Sequence, residues 1–255
     1  MKILITNDDG IYSKGIYSLY VALNNIGEVY VVAPVTEQSA VGHAITINNP
    51  LKITNIYRKN KHFGVGVYGT PADCVKLAIN DLLDSKVDLV VSGINHGANL
   101  CNNIIYSGTV SAATEASMLG VPSFAISLAS LKYIDFEAAA QFAAFFSEFI
   151  LTLKLGNGTV FNVNVPPISK HEIKGWKLTV QGKTRYNDTF EKRHDPKGNV
   201  YYWMVGEKLE PVEIEDGDDF TVKNGYISVT PLHYDLCDYN TFKKLKEMGV
   251  GGKSF

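Results

Sequence analysis

The first ten residues, MKILITNDDG (Met1–Gly10), decide the fold class of this chain. Ile3–Thr6 is a short, nearly continuous apolar run, which is typical of a strand that is buried on both faces of a parallel sheet. The run ends at the polar stretch Asn7–Gly10. In open parallel sheets, ligands bind at the carboxyl ends of strands. The N-terminus therefore predicts an α/β fold with a functional loop directly after its first strand.

Helical and strand-like segments alternate after this first strand. Ile16–Leu23 has helical spacing, and Glu28–Ala33 is a second strand closed by Pro34. A strand, a helix and a strand at this spacing form a βαβ unit, whose crossover is right-handed in nearly all proteins. The alternation predicts an open, doubly wound, mainly parallel sheet. Its further helices are Pro71–Leu83, about Ser107–Leu119 and Phe136–Leu153, and its further strands are Val87–Val91, Ser123–Ser127 and Val160–Val165.

The second half of the chain departs from this alternation. We predict one α/β domain over 1–255 with a core over about 1–165, followed by a hairpin excursion over about 183–206. The hairpin is indicated by the turn-rich stretch KRHDPKGN and the strand-like YYWMV. Acidic residues crowd Glu207–Asp219, which we interpret as a solvated connection. A strand over Tyr226–Thr230 and a helix over Asn240–Met248 complete the prediction.

Composition excludes several classes of protein. Lys and Arg number 24 against 26 Asp and Glu, a formal charge of −2, and 45% of residues are hydrophobic. These values exclude disordered and fibrous chains and argue against a nucleic-acid or membrane-binding surface. The N-terminal apolar run is too short for a signal peptide, and the Phe136–Leu153 region carries polar residues that fit an amphipathic helix. Three widely spaced cysteines favour a reducing compartment, so we predict a cytoplasmic protein.

Two polar clusters follow the first two strands. Asp8 and Asp9 would repel each other unless a cation lies beside them, and oxygen-only ligation indicates Mg²⁺ or Mn²⁺. The alternative is an Asx-turn or a helix cap, with Gly10 supplying a tight turn. In the second cluster, Ser39 is either a ligand of a hard cation or a loop cap. His43 is either a donor to an anion or a structural hydrogen-bonding group.

The third cluster follows the strand over Val87–Val91. Asn95 offers a carbonyl oxygen as a neutral metal ligand, and Asn99 is a second amide in the same stretch. Ser107-Gly108-Thr109 then begins a helix whose free N–H groups and dipole attract an anion. The alternative is an ordinary N-cap at Ser107. Three polar clusters at three strand ends of one predicted sheet indicate a single site.

Two further segments have structural explanations. Thr70, Pro71 and Asp73 form the expected start of a helix, although a substrate contact from Thr70 stays open. Gly64–Gly69 matches the G-x-G-x-x-G dinucleotide pattern, but its valines alternate with glycines and it belongs to no first βα unit. We therefore predict a strand there and no NAD site.

Taken together, these motifs resemble the SurE (survival protein E) family of metal-dependent nucleoside-monophosphate phosphatases. The resemblance is collinear over nearly the whole chain. It is carried by ILITNDDG, QSAVGHAIT, YGTPADCV, VSGINHGAN, IYSGTVSAATEA, DPKGNVYYWMVG and GYISVTPLHYD. One stretch departs from the family pattern: Cys101-Asn102-Asn103 stands where a glycine and an acidic or amide pair are usual. We expect an altered loop there and retained activity.

The resemblance implies a Rossmann-like core and one divalent cation (Mg²⁺ or Mn²⁺) per subunit. It implies homodimers with an exchanged C-terminal tail, here about 231–255, and tetramers built by the hairpin. The implied metal ligands are Asp8, Asp9, Ser39 and Asn95. The implied phosphate contacts are Asn95, Asn99, Ser107, Gly108 and Thr109, with His43 as a further candidate.

The function that these features predict is hydrolysis of a phosphate monoester, and the resemblance implies nucleoside 5′- or 3′-monophosphates as the substrates, which would give nucleoside and phosphate. Asp8 and Asp9 are the predicted catalytic residues, with Asp9 accepting a proton from the attacking water and His43 protonating the leaving oxygen. A covalent aspartyl-phosphate is less favoured because both carboxylates are assigned to the metal. Two alternatives stay open: a non-catalytic nucleotide-binding regulatory module, and an assembly protein in which the polar clusters only cap helices.

Overall fold

The computed structural model describes residues 1–153, 158–209 and 213–250. Within these ranges the chain forms eleven strands and six α-helices. The strands are β1 Lys2–Thr6, β2 Glu28–Pro34, β3 Ile53–Arg58, β4 Lys61–Val67, β5 Leu89–His96, β6 Ser123–Leu128, β7 Thr159–Val165, β8 Trp176–Leu178, β9 Tyr186–His194, β10 Val200–Lys208 and β11 Ile227–His233. The helices are α1 Lys14–Leu23, α2 Pro71–Leu77 (continued by a π-helical turn, Ala78–Leu82), α3 Gly108–Met118, α4 Glu137–Thr152, α5 Asp218–Lys223 and α6 Tyr239–Glu247.

Nine of the strands form one sheet in the order β3-β4-β2-β1-β5-β6-β7-β11-β8. The six strands from β4 to β7 in this order run parallel, while β3 and β11 are antiparallel to their neighbours β4 and β7. From β1 the chain builds the sheet first through β2 and β4, and then crosses back to β5 on the other side of β1. This is the predicted doubly wound, mainly parallel sheet, and its strand order reverses between β1 and β5.

Helices cover both faces of the sheet. Ile3 and Ile5 of β1 pack into the core layer under α1 and α4, whereas Leu4 packs into the layer under α2 and α3. Successive side chains of a strand point to opposite faces. The continuous apolar run at the N-terminus therefore has a direct cause, because both faces of β1 are buried. In the described ranges no helix combines the length and the apolar character needed to cross a membrane.

Strand β5 is longer than the sequence predicts. The prediction ends at Val91, but β5 continues to His96, with a break in its pairing to β6 between Ser92 and Asn95. Gly93 has a φ of +145°, which residues with a side chain rarely adopt. The prediction that the strand ends at Val91, before Asn95, is therefore wrong. Asn95 lies in β5 beyond this irregularity and is paired with Ser127 of β6.

The sheet also extends beyond the predicted core boundary at Val165. Strand β11 pairs antiparallel with β7, and β8 pairs with β11, so later parts of the chain complete the sheet. Residues 231–233 of the predicted assembly segment belong to β11. The following helix α6 buries no residue, and residues 251–255 of that segment lie outside the described residues.

Strands β9 and β10 form a separate two-stranded antiparallel sheet, which is the predicted hairpin. The strand predicted over Gly64–Gly69 corresponds to β4, which ends at Val67. The expectation of a solvated connection up to Asp219 is wrong at its end, because Asp218 and Asp219 are buried at the start of α5. Two backbone N–H groups that donate to Asp218, those of Cys101 and Gly182, come from distant parts of the sequence, so the acidic composition alone did not show that this carboxylate is buried.

Candidate active site

The candidate site lies at the carboxyl ends of β1 and β5, where the strand order of the sheet reverses. Asp8 and Asp9 directly follow β1, and His96 is the last residue of β5. The backbone N–H of His96 donates to Asp9 Oδ2 at 2.9 Å. This hydrogen bond joins the first and third polar clusters predicted from the sequence. The crevice at such a reversal is the usual ligand site of open α/β sheets.

A buried amide fixes the loop that carries the two carboxylates. Asn7 is fully buried, and its Nδ2 donates to Gly10 O at 3.0 Å and to Ser13 Oγ at 2.8 Å. Gly10 has a φ of +90°, so the tight turn assigned to it is present. Sequence reasoning did not single out Asn7. Its position directly before an Asp-Asp-Gly turn was the available signal, because Asn side chains bond to the nearby backbone of turns.

Asp8 is held by the first turn of α3. Thr109 N donates to Asp8 Oδ2 at 3.0 Å, and the Thr109 hydroxyl donates to Asp8 Oδ1. The Asp8 carboxylate thus lies at the positive end of the α3 dipole. This contact agrees with the alternative that an aspartate of this pair caps a helix. Each carboxylate oxygen keeps a second lone pair. Asp8 can therefore still ligate a cation while Thr109 orients it.

The N-terminus of α3 keeps two donors without a hydrogen-bond partner among the described residues, the Gly108 N–H and the Ser107 hydroxyl. Ser107 Oγ accepts from Val110 N at 3.1 Å, so Ser107 is the N-cap of α3. The Gly108 N–H has no hydrogen-bond partner in the described ranges. A Cβ at Gly108 would lie 2.9 Å from Asp8 Cβ, so only glycine allows this close approach. Of the predicted phosphate-binding turn, the Gly108 N–H and the Ser107 O–H are the donors left for an anion.

Asp8 is buried and Asp9 is partly buried, and the pKa of each carboxyl is raised. Burial raises the pKa of Asp8 to about 6, and the charge of Asp9 acts in the same direction. Burial also raises the pKa of Asp9, and the charge of Glu37 adds to this. None of the three ion pairs in the described residues includes either aspartate. A bound cation would relieve this cost by supplying the missing opposite charge.

The donors present fit a hard divalent cation. Asp9 Oδ1 accepts no hydrogen bond in the described structure, and Asn95 Nδ2 donates to Gly97 O at 2.8 Å, which leaves Asn95 Oδ1 open. Asn7 Oδ1 is buried and without a partner among the described residues. A buried acceptor without a donor is the kind of group that an ion or a water satisfies. Carboxylate and amide oxygens are ligands preferred by Mg²⁺ and Mn²⁺.

Ser39 lies on a loop that is tied to the site but does not contact the aspartates. Its hydroxyl donates to Glu37 Oε1 at 2.5 Å, and the residue is exposed. The loop is anchored by Gln38 N, which donates to Asp8 O at 2.8 Å, and by Gly42 N, which donates to Tyr106 O at 3.0 Å. The loop therefore brings Ser39 next to the Asp8 backbone, and ligation by Ser39 stays a prediction.

His43 is engaged by a buried carboxylate that sequence reasoning missed. His43 Nε2 lies 2.9 Å from Glu115 Oε2, and Lys76 Nζ lies 2.5 Å from Glu115 Oε1. Burial raises the pKa of Glu115, but the hydrogen bonds of His43 and Lys76 outweigh it and hold the pKa below its usual value. This contact matches the structural alternative for His43. The sequence did offer a signal for Glu115, because it is the one charged residue among the small residues of α3.

Asn99 belongs to a buried amide network. Its Nδ2 donates to Ser127 Oγ at 2.9 Å, and its backbone N donates to Asn164 Oδ1 at 2.9 Å. Its backbone carbonyl oxygen accepts hydrogen bonds from the side-chain Nδ2 atoms of Asn162 and Asn164. These bonds join the loop after β5 to β6 and β7. None of these four bonds reaches the Asp8–Thr109 pair, so a phosphate contact by Asn99 stays a prediction.

Comparison with known proteins shows the family. The model of the family described as survival protein SurE matches residues 3–188. The chain belongs to the SurE family. The protein of Natranaerobius thermophilus named 5′-nucleotidase SurE is 46% identical over 252 residues, covering 96% of this chain and 97% of that protein. The protein of the same name from Kosmotoga olearia is 47% identical, covering 99% and 100%. The crystal structure of the SurE protein from Aquifex aeolicus superposes with a TM-score of 0.84 at 42% identity, covering 98% of this chain and 100% of that one.

Cys101, in the stretch where we expect an altered loop, has an unusual backbone conformation. Cys101 has a φ of +54°, the left-handed conformation for which glycine is favoured. Its backbone N–H donates to Asp218 Oδ2 at 3.0 Å and its thiol donates to Asp218 Oδ1 at 3.5 Å. Cys101 therefore ties the loop after β5 to α5.

Cys101, Asp218 and Asp219 are also the one group of three metal-ligand side chains found in the described residues. It differs from the predicted metal set. Gly182 N and Asp219 N also donate to Asp218, at 3.0 and 2.7 Å, so this carboxylate is satisfied by protein donors. Burial raises the pKa of the Cys101 thiol to about 12, which opposes the thiolate that metals bind. The cluster therefore has a structural explanation without a metal.

Proposed function

We propose that this SurE-family chain is a divalent-metal-dependent phosphomonoesterase that hydrolyses nucleoside 5′- or 3′-monophosphates to nucleoside and phosphate. The observation that carries the proposal is the pair of adjacent aspartates at the β1–β5 crevice, of which Asp8 is buried and Asp9 is partly buried. Thr109 donates hydrogen bonds to Asp8, and the backbone N–H of His96 donates to Asp9. The relatives named 5′-nucleotidase SurE, at 46–47% identity over nearly the full chain, support the substrate class.

The proposed ligands of one Mg²⁺ or Mn²⁺ are Asp8, Asp9, Ser39 and Asn95. Three of them belong to the β1–β5 crevice, and Ser39 would join them from the loop anchored on Asp8 O. When bound, a divalent cation polarises a phosphoryl oxygen and lowers the pKa of a water. Thr109 would keep Asp8 oriented toward the crevice, because hydrogen-bonded partners of ligands fix their geometry.

The chain's own groups then have separate tasks. Asp9 Oδ1, free of protein hydrogen bonds, would accept the proton of the attacking water while the His96 N–H holds Oδ2. The Gly108 N–H and the positive end of α3 would stabilise charge on the phosphoryl oxygens. If His43 protonates the leaving oxygen, it does so through Nδ1, because Nε2 is engaged by Glu115.

Phosphate release from 5′-AMP and 3′-AMP tests this function directly. We expect release by the purified protein in Mn²⁺ or Mg²⁺, and a loss of about 10²–10³-fold after chelation, since a catalytic metal supplies several kcal/mol. Restoring Mn²⁺ should restore the rate. The unfolding temperature of the chelated protein is the control for loss of structure. Full activity in chelator would contradict the metal, and AMP binding without phosphate release would favour the regulatory alternative.

We also propose that the chain assembles as a homodimer or homotetramer. Helix α6 buries no residue, although Tyr239, Phe242 and Leu245 are apolar and exposed. The hairpin exposes Trp203 and Met204 in the same way. Contiguous exposed apolar side chains are typical of interaction surfaces. Exchange of the tail between subunits and packing of hairpins would cover them.

Substitutions on these two surfaces test the assembly. We expect Phe242→Glu to shift the sedimenting species toward monomer, because burying its new charge in an interface is costly. Trp203→Glu should instead reduce any tetramer to dimer. Lys244→Glu, on the same helix, is the charge-changing control for α6. Identical sedimentation of wild type and both surface variants would contradict the proposed interfaces.

We place the reaction in the cytoplasm. Cys74, Cys101 and Cys237 are all free thiols. Unpaired cysteines are typical of proteins in a reducing compartment.

A further inference from the structure

A cavity of about 360 Å³ lies between the first turns of α1 and α4. Ligand pockets in proteins begin at roughly 300 Å³. Helices of parallel βαβ units begin at the carboxyl edge of the sheet, so this cavity lies at the same edge as Asp8 and Asp9. Its lining includes Tyr12, Tyr17, Ser18, Arg58, Phe136 and Glu137.

The two sides of the cavity both lie near Asp9, the α1 side through Tyr12 and the α4 side through Phe136. Tyr12 is three residues after Asp9, so their Cα atoms are at most about 11 Å apart even in an extended chain. The turn closed by Ser13 N donating to Gly10 O shortens this distance. On the other wall, the ring of Phe136 lies 5.7 Å from that of His96, whose N–H holds Asp9. A molecule anchored at Asp9 therefore has the cavity as its neighbour.

The lining suits a planar ring rather than a second phosphate. Besides its aromatic side chains it carries Lys14 and Arg58 against Asp135 and Glu137, so the formal charges cancel. Arg58 is fixed with its guanidinium 4.7 Å from the centre of the Tyr17 ring and Nη2 donating to Tyr12 O at 3.0 Å. Its Nε is buried and without a partner in the described structure. Aromatic faces with donors and acceptors around them are how proteins hold nucleobases.

We propose that this cavity binds the base of the nucleotide substrate, an inference that rests on the nucleotidase function proposed above. The phosphate would be held at Asp9 and Gly108, and the base would stack on Tyr12 in the cavity. The neutral lining and the range of donors and acceptors would let several bases enter. The cavity would thus distinguish nucleotides from sugar phosphates.

Tyr106 is the competing platform for the base. It directly precedes Ser107 and is 62% exposed. It belongs to the α3 side of the site, and α3 packs on the opposite face of the sheet from α1 and α4. A substitution at Tyr106 therefore distinguishes the two sides.

Paired substrates test the proposal, with AMP carrying a base and ribose 5-phosphate carrying none. We expect Tyr12→Ala to lower kcat/KM for AMP about tenfold, the scale of one base–aromatic stack. The ribose 5-phosphate rate should stay unchanged. Tyr12→Phe keeps the ring and should behave as wild type. Tyr12 is 61% exposed and binds Arg58 through its backbone oxygen, so the variants should fold. Ser18→Phe, which fills the cavity, should produce the same loss for AMP alone.

Three results would overturn the proposal: equal losses for both substrates, unchanged AMP rates in Tyr12→Ala and Ser18→Phe, or a selective loss that follows Tyr106→Ala instead. Adenosine binding measured by calorimetry separates this proposal from the nucleotidase function. If no monoester is hydrolysed, the nucleotidase function fails, while adenosine binding that Ser18→Phe abolishes would still support the base site. Adenosine binding that is absent in wild type or unaffected by Ser18→Phe overturns the base site whatever the turnover.

Discussion

Replacing Asp9 with Asn should lower kcat/KM for AMP by about a thousandfold, and Asp8→Asn should have a comparable effect. Either change removes one negative charge from the pair while the side-chain volume stays nearly the same. The loss of charge weakens cation binding, and at Asp9 it also removes the proposed proton acceptor. For Asp8→Asn, the amide also disturbs the two donor contacts from Thr109. Steady-state rates at limiting and saturating Mn²⁺ separate lost affinity from lost turnover.

Asp88→Asn is the matched control for this prediction. Asp88 precedes β5 at the amino edge of the sheet, where its Oδ2 accepts from Lys2 N of β1 at 2.8 Å. It is an exposed aspartate that joins the same two strands at the opposite end. We expect wild-type turnover from this variant. Wild-type rates from both Asp8→Asn and Asp9→Asn at limiting Mn²⁺ would contradict the metal assignment.

The sequence predicts the sheet well because its pattern is local. The run around Ile3, Leu4 and Ile5 has no polar alternation, and the structure buries these residues on both faces of the sheet. The sequence also predicts a strand over Tyr226–Thr230, which is β11, but it does not predict that β11 and β8 extend the sheet beyond β7, because those pairings are not local. Strand β11 reaches β7 from more than sixty residues later in the chain, and nothing in its own pattern names that partner.

The candidate site is predicted as a location more than as a set of contacts. Strand ends mark the edge of the sheet where Asp8, Asn95 and Ser107 gather, and the doubly wound order brings β1 beside β5. Which side chains hydrogen-bond to each other at this edge depends on contacts between residues that are far apart in the sequence. Thr109 meets Asp8 across 101 residues and His43 meets Glu115 across 72. The extension of β5 likewise depends on one glycine, Gly93, whose backbone conformation is not encoded in a periodic pattern.

The close approach of α1 to β5 carries the second large prediction, for Gly15→Ala. A Cβ at Gly15 would lie 1.9 Å from Ile94 O and 3.0 Å from Ile94 C, both backbone atoms of a fully buried residue. Neither α1 nor β5 can move freely, because Ile16 and Leu19 hold the helix in the core. We expect the free energy of unfolding to fall by about 3 kcal/mol, the upper part of the usual range for overpacking. This corresponds to a fall of roughly 6–12 °C in Tm.

The same substitution should also lower turnover, because Ile94 directly precedes Asn95 and His96. If β5 yields to the new methyl group, the His96 N–H moves away from Asp9 Oδ2 and the proposed ligand Asn95 moves with it. Thermal unfolding and kcat/KM for AMP should therefore both fall, whereas Val21→Ala, half exposed on the same helix, should change neither appreciably. Helix propensity alone favours alanine over glycine by up to about 1 kcal/mol. A Gly15→Ala protein that is more stable than wild type would contradict this prediction. It would show that the helix propensity of alanine outweighs the clash with Ile94, and that α1 does not pack tightly against β5 at this position.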